Sequence, residues 1–395
     1  VKLEAKLYLT MMAFFSFSTA LSGIFVNIFI WNIDNSFESL ALYSLSNSIA
    51  ILISFPICAW LARQTSPMSS LRIGVLLYIV AYGFLLWIRE DAVNHIYLLG
   101  AMMGLAVSFF AVGQHMQIFN VTQDRNRDRF LYISSFLSNG VGMLAPIISG
   151  FTISRFIGMK GYYIVFSISL LSFLFTALIS LKVKGKKLPM KSNFKEVWKN
   201  PTREWRGMYW VSMVTSMVDG TYSSFLASVM TFSILQDELS LGGYNTFAAL
   251  MGLLTSLWLA KISAPERRMK IYIIGAFLVS ISSISLSIKP VFWMLVIYAV
   301  LFVIGSNLMN TTLNAWMYAS IEFDQKFDER RLDYIVVREI PLGLGRMIGI
   351  GLFFLMNAIF ESDNILPISF AMFGSVYVFL IPALRKIWKG HHSIA

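Results

Sequence analysis

The chain has 395 residues, a formal net charge of +11 and a composition that is 57% hydrophobic and only 13% charged. Ordinary soluble domains carry roughly 25% charged residues, so a soluble protein, and with it a nucleic-acid binder attracted by the positive charge, is not the reading. The single cysteine, Cys58, excludes a disulfide within the chain, and four dispersed histidines make no convincing metal site, so neither a metal nor another cofactor is expected.

Apolar runs of about 20 residues recur along the whole length, each long enough to cross a bilayer core of roughly 30 Å. Backbone groups inside lipid must be satisfied within their own segment, so these runs are expected to be helices. Lys2 and Lys6 precede a first run that is too long for a signal peptide and lacks a small-residue cleavage site, which reads as a retained helix. The first six expected spans are 7–31, 39–62, 71–88, 95–119, 130–153 and 162–181. Six more follow at 207–234, 242–260, 270–288, 291–317, 335–360 and 366–384. The expected fold is an all-α polytopic membrane protein, with twelve transmembrane helices in two pseudo-symmetric six-helix bundles, residues 1–181 and 207–395.

The polar segment 182–206 separates the bundles and carries nine Lys and Arg residues. Asn193 with Glu196 three residues on resembles a capping box, and Phe194, Val197 and Trp198 share one face of a short helix ended by Pro201. Such a basic helix suits the inner membrane surface, and a solvated linker is the alternative. With the N-terminus inside, 28 of the 32 Lys and Arg residues fall on the cytoplasmic side; Arg89, Arg155, Lys160 and Lys289 are the exceptions. The positive-inside rule therefore predicts both termini in the cytoplasm, in the plasma (bacterial inner) membrane.

The stretch Trp60–Ile73 returns without gaps 198 residues later as Trp258–Ile271, half the chain length away. Trp, Leu, Ala, Pro and Ile are identical in the two copies, each between two apolar runs, as duplication of one unit would leave them. Further pairs follow in order: Thr19–Gly23 with Ser216–Gly220, Gly104–Met116 with Gly305–Met317, and Gly140–Gly142 with Gly343–Gly345.

Two parallel six-helix halves, a basic central loop and a short basic loop after spans 2 and 8 resemble the major facilitator superfamily. The loop signature of that family, Gly-x-Leu-Ala-Asp-Arg-x-Gly-Arg-x-x-x-Leu, is similar at Ala59, Leu61, Ala62 and Leu71, with Arg63 where its aspartate stands. Ala145-Pro-Ile-Ile-Ser-Gly150 resembles the antiporter-type pattern Gly-Pro-x-x-Gly-Gly with two glycines lost, and Thr122–Phe130 resembles the loop before span 5 in Gram-positive multidrug-efflux-like members. The resemblance implies secondary transport by alternating access, with spans 1, 4, 7 and 10 lining a central cavity. It also implies a gate at the end of span 2. With Arg63 in the aspartate's place, a charge-swapped latch to Glu339 is expected, with Lys261 and Asp128 as its pseudo-symmetric copy. The alternative is that Arg63 and Lys261 only obey the positive-inside rule.

Polar side chains inside hydrocarbon are costly unless they face a cavity or a partner. Span 10 carries Asn307, Asn310, Thr311 and Asn314 on one face, and span 7 carries Ser212, Thr215, Ser216, Asp219, Tyr222 and Ser223. Span 4 places Gly104, Ser108, Ala111 and His115 together with Gln114 and Gln117 nearby, and span 1 has Ser16, Thr19, Gly23 and Asn27. Hydrogen bonding across packed helices would explain the small ones equally. Asn27, Gln114, Gln117, Tyr222, Asn307, Asn310, Asn314 and Trp316 are the candidate cavity residues. Asp219 is the clearest mid-span carboxylate, and Glu339 and Arg346 lie two turns apart on one face of span 11. Desolvation favours a protonated carboxyl and a nearby cation favours the charged form, so Asp219, with Arg346 and His115, is the candidate proton-coupling group.

No Gly-Lys-Ser/Thr phosphate loop is present, so ATP hydrolysis in this chain is not expected, nor is any other enzymatic activity. The expected function is proton-coupled export of hydrophobic or amphipathic small molecules by a monomer, its partners being substrate, protons and the bilayer. An importer of a neutral solute such as a sugar, a lipid flippase and a non-transporting membrane sensor are the alternatives.

Overall fold

The structure, a computed structural model, describes residues 3–121, 124–185, 194–262, 265–360 and 362–392. Among them the only regular structure is helical. The first helix, α1 (Leu3–Asp34), stops at Asn35, whose φ of 52° is a left-handed conformation that a short polar side chain tolerates. Ser36 then caps α2 (Phe37–Gln64), its hydroxyl accepting from the N–H groups of Glu38 and Ser39 at 3.1 and 3.4 Å. Ser66 caps α3 (Pro67–Ile88), where Pro67 occupies the first turn and loses no helical hydrogen bond. Helix α4 (Ile96–Val121) follows a 3₁₀ turn.

The span expected at 130–153 is two helices, α5 (Asp124–Gly142) and α6 (Leu144–Arg155). Pro146 has no N–H for the carbonyl of Gly142, and its ring crowds that carbonyl, so a continuous helix breaks at Met143. After α7 (Lys160–Leu181) comes the short linker helix α8 (Phe194–Lys199), which ends before Pro201 as expected; its proposed cap, Asn193, lies outside the described residues.

The span expected at 207–234 is helical throughout but not uniformly α. Helix α9 (Arg203–Val218) runs into a π-helical stretch, Asp219–Leu226, and then into α10 (Ala227–Leu235). Wide turns of this kind insert one residue per turn and re-aim the side chains beside them. Gln236, with φ 61°, ends α10 as Asn35 ends α1, and Asp237 accepts from the Ser240 N–H at 2.8 Å to open α11 (Glu238–Ile262). Pro265 begins the 3₁₀ turn Pro265–Arg267 into α12 (Arg268–Ile288), so the two copies of the repeated stretch both join one helix to the next through a proline turn. The chain continues as α13 (Phe292–Glu322), α14 (Phe327–Ile359), α15 (Ser362–Phe379) and α16 (Ile381–His392). Ten described helical stretches are long and apolar enough to cross a membrane; α9 to α10 and α11 supply the remaining two of the twelve expected spans.

The helices form two compact units. The first comprises Val1–Val121, Leu137–Met190 and Ser228–Leu250, and the second Thr122–Phe136, Lys191–Ala227 and Met251–Ala395. Compared with a division in sequence order, the stretches 122–136 and 228–250 are exchanged.

In the first unit α4 packs between α2 and α3, and α7 packs on α1 and α3. Small residues set the approach: a Cβ on Gly104 would lie 2.8 Å from the Ala50 Cβ on α2. The Ser108 hydroxyl is buried there, donating to the Gly104 carbonyl at 3.0 Å and the Ile51 carbonyl at 3.4 Å. Gly104 and Ser108, for which the sequence left a cavity face and helix packing equally open, serve helix packing, because only small side chains let two backbones come this close. Phe15 stacks on Phe110 at 3.6 Å between ring centroids, and Tyr78 on Phe173 at 4.9 Å. Gly150 on α6 faces Gly242 on α11, beside a network in which Asn32 donates to the Tyr162 hydroxyl (2.9 Å) and Tyr162 donates to Glu238 (2.9 Å).

In the second unit α12 packs on α13 and α15, and α14 packs on α9. Gly275 and Gly305 face each other, each so close that a Cβ would meet the carbonyl of the other at 2.6 to 2.7 Å. Gly345 and Gly349, one turn apart on α14, lie against the carbonyls of Met213 and Met217 on α9. Gly220 completes the contact, since a Cβ there would fall 2.7 Å from the Arg346 Cα. These three glycines set the register that brings Asp219 beside α14.

Candidate functional site

A cavity of about 290 Å³ opens within the second unit. The polar lining is Ser212, Thr215 and Asp219 from the α9 segment, Asn310 and Asn314 from α13, and Arg338 from α14. Met208, Val211, Leu313 and Leu342 supply the apolar part. Spacing alone placed Ser212, Thr215 and Asp219 on one helical face and Asn310 and Asn314 on another, and the fold turns both faces to one space.

Asp219 sits where α9 becomes π-helical. One carboxylate oxygen accepts from the Tyr377 hydroxyl of α15 at 3.2 Å and from the Ser223 hydroxyl at 3.3 Å. The carboxylate also lies in the field of two guanidinium groups, Arg346 and Arg338. Arg346 is held by Glu339, donating from Nη1 to Oε1 at 2.7 Å with both side chains largely shielded from water. Arg338 feels Glu339 and Asp219 as opposite charges, but its Nε finds no hydrogen-bond partner among the described residues. The Thr215 hydroxyl is unpartnered in the same sense. The wall thus pairs a hydrogen-bonded carboxylate with a guanidinium that still has donor capacity.

The other predicted residues fall as follows. Asn307 lies next to this face and donates to the Gly252 carbonyl at 3.5 Å. Tyr222 is fully buried: its hydroxyl bonds Ser283 at 2.6 Å and donates to Tyr298 at 3.1 Å, while its ring stacks on Phe370. Trp316 is buried against Tyr272 at 6.3 Å between centroids. Ser216 is turned to α14, donating to the Leu342 carbonyl at 2.6 Å. In the first unit Asn27 and Gln117 are buried and Gln114 and His115 are half-buried. Of the gate candidates, Arg63 is buried and Lys261 exposed, Glu339 is engaged by Arg346, and the side chain of Asp128 lies outside those described.

Arg338 and Tyr377 were not singled out from the sequence. Arg338 does carry a signal, since it stands eight residues, or about two turns, before Arg346 on the same helix. Tyr377 carries none, because nothing in the sequence around a single tyrosine names its partner on another helix.

These features define the class: a multi-pass helical membrane protein with a polar, charge-bearing cavity inside one helical unit. The chain belongs to the Major Facilitator Superfamily, whose sequence profile it matches over residues 9–325. Its fold is that of the secondary transporters of this family. It is 27% identical to the protein YqgE of Bacillus subtilis (strain 168) over 368 residues, which is 93% of this chain and 85% of YqgE. Its fold is similar to the human organic anion transporter MFSD10, with a TM-score of 0.72, 10% identity, and coverage of 97% of this chain and 100% of that one. It is likewise similar to the proton:xylose symporter XylE, with a TM-score of 0.71, 13% identity, and coverage of 97% and 94%. At these identities the two structural likenesses concern the fold alone.

Proposed function

We propose that this protein is a proton-coupled transporter of amphipathic small molecules, with the cavity of the second unit as a binding site and Asp219 as the proton carrier. The observation that carries the reading is the placement of Asp219 on the wall of a cavity that also offers amides, hydroxyls and a guanidinium. A ligand entering that space meets the proton-binding group directly, so proton and ligand binding are thermodynamically linked. The apolar residues Met208, Val211, Leu313 and Leu342 suit the hydrophobic part of such a ligand.

The direction of coupling follows from the charge of the ligand. A cation pairs with ionised Asp219 and competes with the proton, which gives exchange and, under an inward proton gradient, the export expected from the sequence. An anion gains from protonation of Asp219, which gives joint movement and import. The test is flux in proteoliposomes under an imposed proton gradient: a gradient-driven flux that Asp219→Asn abolishes supports the reading, and a flux unaffected by the gradient removes it.

A further inference from the structure

We propose that the cavity of the second unit takes an anionic amphiphile, its anionic head on Arg338 and Thr215, and that this ligand and a proton on Asp219 load together. The proposal rests on the proton-coupled reading above and adds the sign of the ligand charge.

The first support is the balance of hydrogen-bonding capacity. Asp219 already accepts from Tyr377 and Ser223, and both Arg346 and Arg338 act on it. Arg338 feels Glu339 and Asp219 as opposite charges but keeps unused donor capacity. Its Nε and the Thr215 hydroxyl find no partners among the described residues, and both residues line the cavity. Asn310, Asn314 and Ser212 add further donors. The amides and hydroxyls can donate or accept, so among the described residues the one donor-only group on the wall is the Arg338 guanidinium, which suits an acceptor-rich head such as a carboxylate, sulfonate or phosphate.

The second support is charge balance. With both carboxylates ionised, Asp219 and Glu339 would balance Arg338 and Arg346, and Arg346 and Glu339 form an ion pair with each other. From the elements packed around Asp219, the other titratable groups acting on this cluster among the described residues are the Tyr377 hydroxyl of α15, the Tyr222 and Tyr272 hydroxyls that act on it, and the Tyr318 hydroxyl of α13, which acts on Arg338; all are neutral phenols. In that ionisation state the cluster is neutral. Adding a cation leaves a net charge in a membrane interior, where uncompensated charge is costly. Adding an anion together with a proton on Asp219 returns the cluster to neutrality, and it frees Arg338 from Asp219 for the ligand. Joint loading means that an inward proton gradient drives uptake, opposite to the export direction.

The cavity, at about 290 Å³, lies at the small end of ligand pockets, which run from about 300 to 1,000 Å³. The test uses three probes that share one bicyclic aromatic body: naphthalenesulfonate, which stays ionised at all working pH, naphthalenemethanol, and naphthylmethyl-trimethylammonium. Binding to the purified full chain in detergent is measured by calorimetry in buffers of different ionisation heat, so that proton uptake is read with affinity. The expected result is that the sulfonate binds tightest, takes up a proton, and binds more tightly as pH falls. Arg338→Gln should weaken the sulfonate about tenfold or more and leave the alcohol unchanged. Asp219→Asn should keep sulfonate binding and lose both the proton uptake and the pH dependence. If Arg338→Gln does not fold, Arg338→Lys replaces it: a several-fold loss for the sulfonate alone supports the proposal, and equal losses for sulfonate and alcohol, or none, overturn it. A trimethylammonium probe that binds best and releases a proton overturns the anion proposal while leaving the proton-coupled cavity standing. Binding of all three probes that ignores both variants, or no binding at all, overturns the cavity reading and the proposal with it.

Discussion

Glu339 and Arg346, two turns apart on α14, form an ion pair at 2.7 Å, with the carboxylate side chain 7% and the guanidinium side chain 22% exposed. Seven residues are close to two full helical turns, so the pair needs no second helix to find its register. It sits beside the contact between Arg346 and Gly220, at the point where α9 passes into the π-helical stretch.

Removing one member of this pair leaves the other charge largely shielded and without its hydrogen-bonded partner, a loss of up to about 3–5 kcal/mol. Asp219 beside Arg346, or Arg338 beside Glu339, offsets that loss in part. Glu339→Gln and Arg346→Gln should each lower the thermal midpoint of the purified protein. The double variant should lie closer to the parent than the two single losses added together.

Asp219→Asn should abolish accumulation driven by a proton gradient while ligand exchange across the membrane continues. Paired uphill and exchange assays in proteoliposomes check this. Uphill accumulation by the variant moves the proton-carrying role to another group, with His115 next to be replaced.

The glycines of the α9–α14 contact should not tolerate side chains. Gly349→Val would press a branched side chain into the Met217 carbonyl and lose at least about 1–3 kcal/mol. Gly351→Ala, two positions on and with open space around its Cα, is the control and should unfold like the parent.

Asp324, in the turn between α13 and α14, gives a pH dependence outside the membrane spans. Burial pushes its carboxyl up, but the Lys326 N–H, the Tyr334 hydroxyl and the Arg330 guanidinium together outweigh burial and hold it below the usual carboxylate range. A depressed folded-state value means that this contribution is full above the unfolded value of about 3.9 and is lost as pH falls through the folded one. Asp324→Asn should therefore lower stability at neutral pH and narrow the gap to the parent in strong acid. Denaturation midpoints across that range measure it.

Orientation is tested by labelling single cysteines placed at Ser192 and Ser362 on a Cys58→Ala background. The cation asymmetry predicts that an impermeant reagent outside intact cells reaches position 362 and misses position 192. The reverse pattern would invert the topology.

The sequence by itself determined the membrane class, the helical segments, the linker helix at Phe194–Lys199 and the repeated proline turn. Each of these depends on composition and spacing within one segment, where the bilayer fixes the length and hydrogen bonds fix the helix. The shared face of Glu339 and Arg346 was legible for the same reason, as was Asp219 as a mid-span carboxylate; their pairing was not, since Glu339 was expected to meet Arg63. The tertiary structure alone decided what each polar stripe faces. A stripe shows that a helix has a side in need of partners and does not name the neighbour. Gly104 and Ser108 turn to α2, Tyr222 turns inward to Ser283 and Tyr298, and Ser212, Thr215, Asn310 and Asn314 turn to the cavity. Tyr377 reaches Asp219 across 158 residues from α15, and Arg338 reaches the same wall from α14, where Gly220, Gly345 and Gly349 let the α9 segment and α14 close to contact and so fix one register. That register is a packing decision, made by which surfaces can touch, and no local pattern records it.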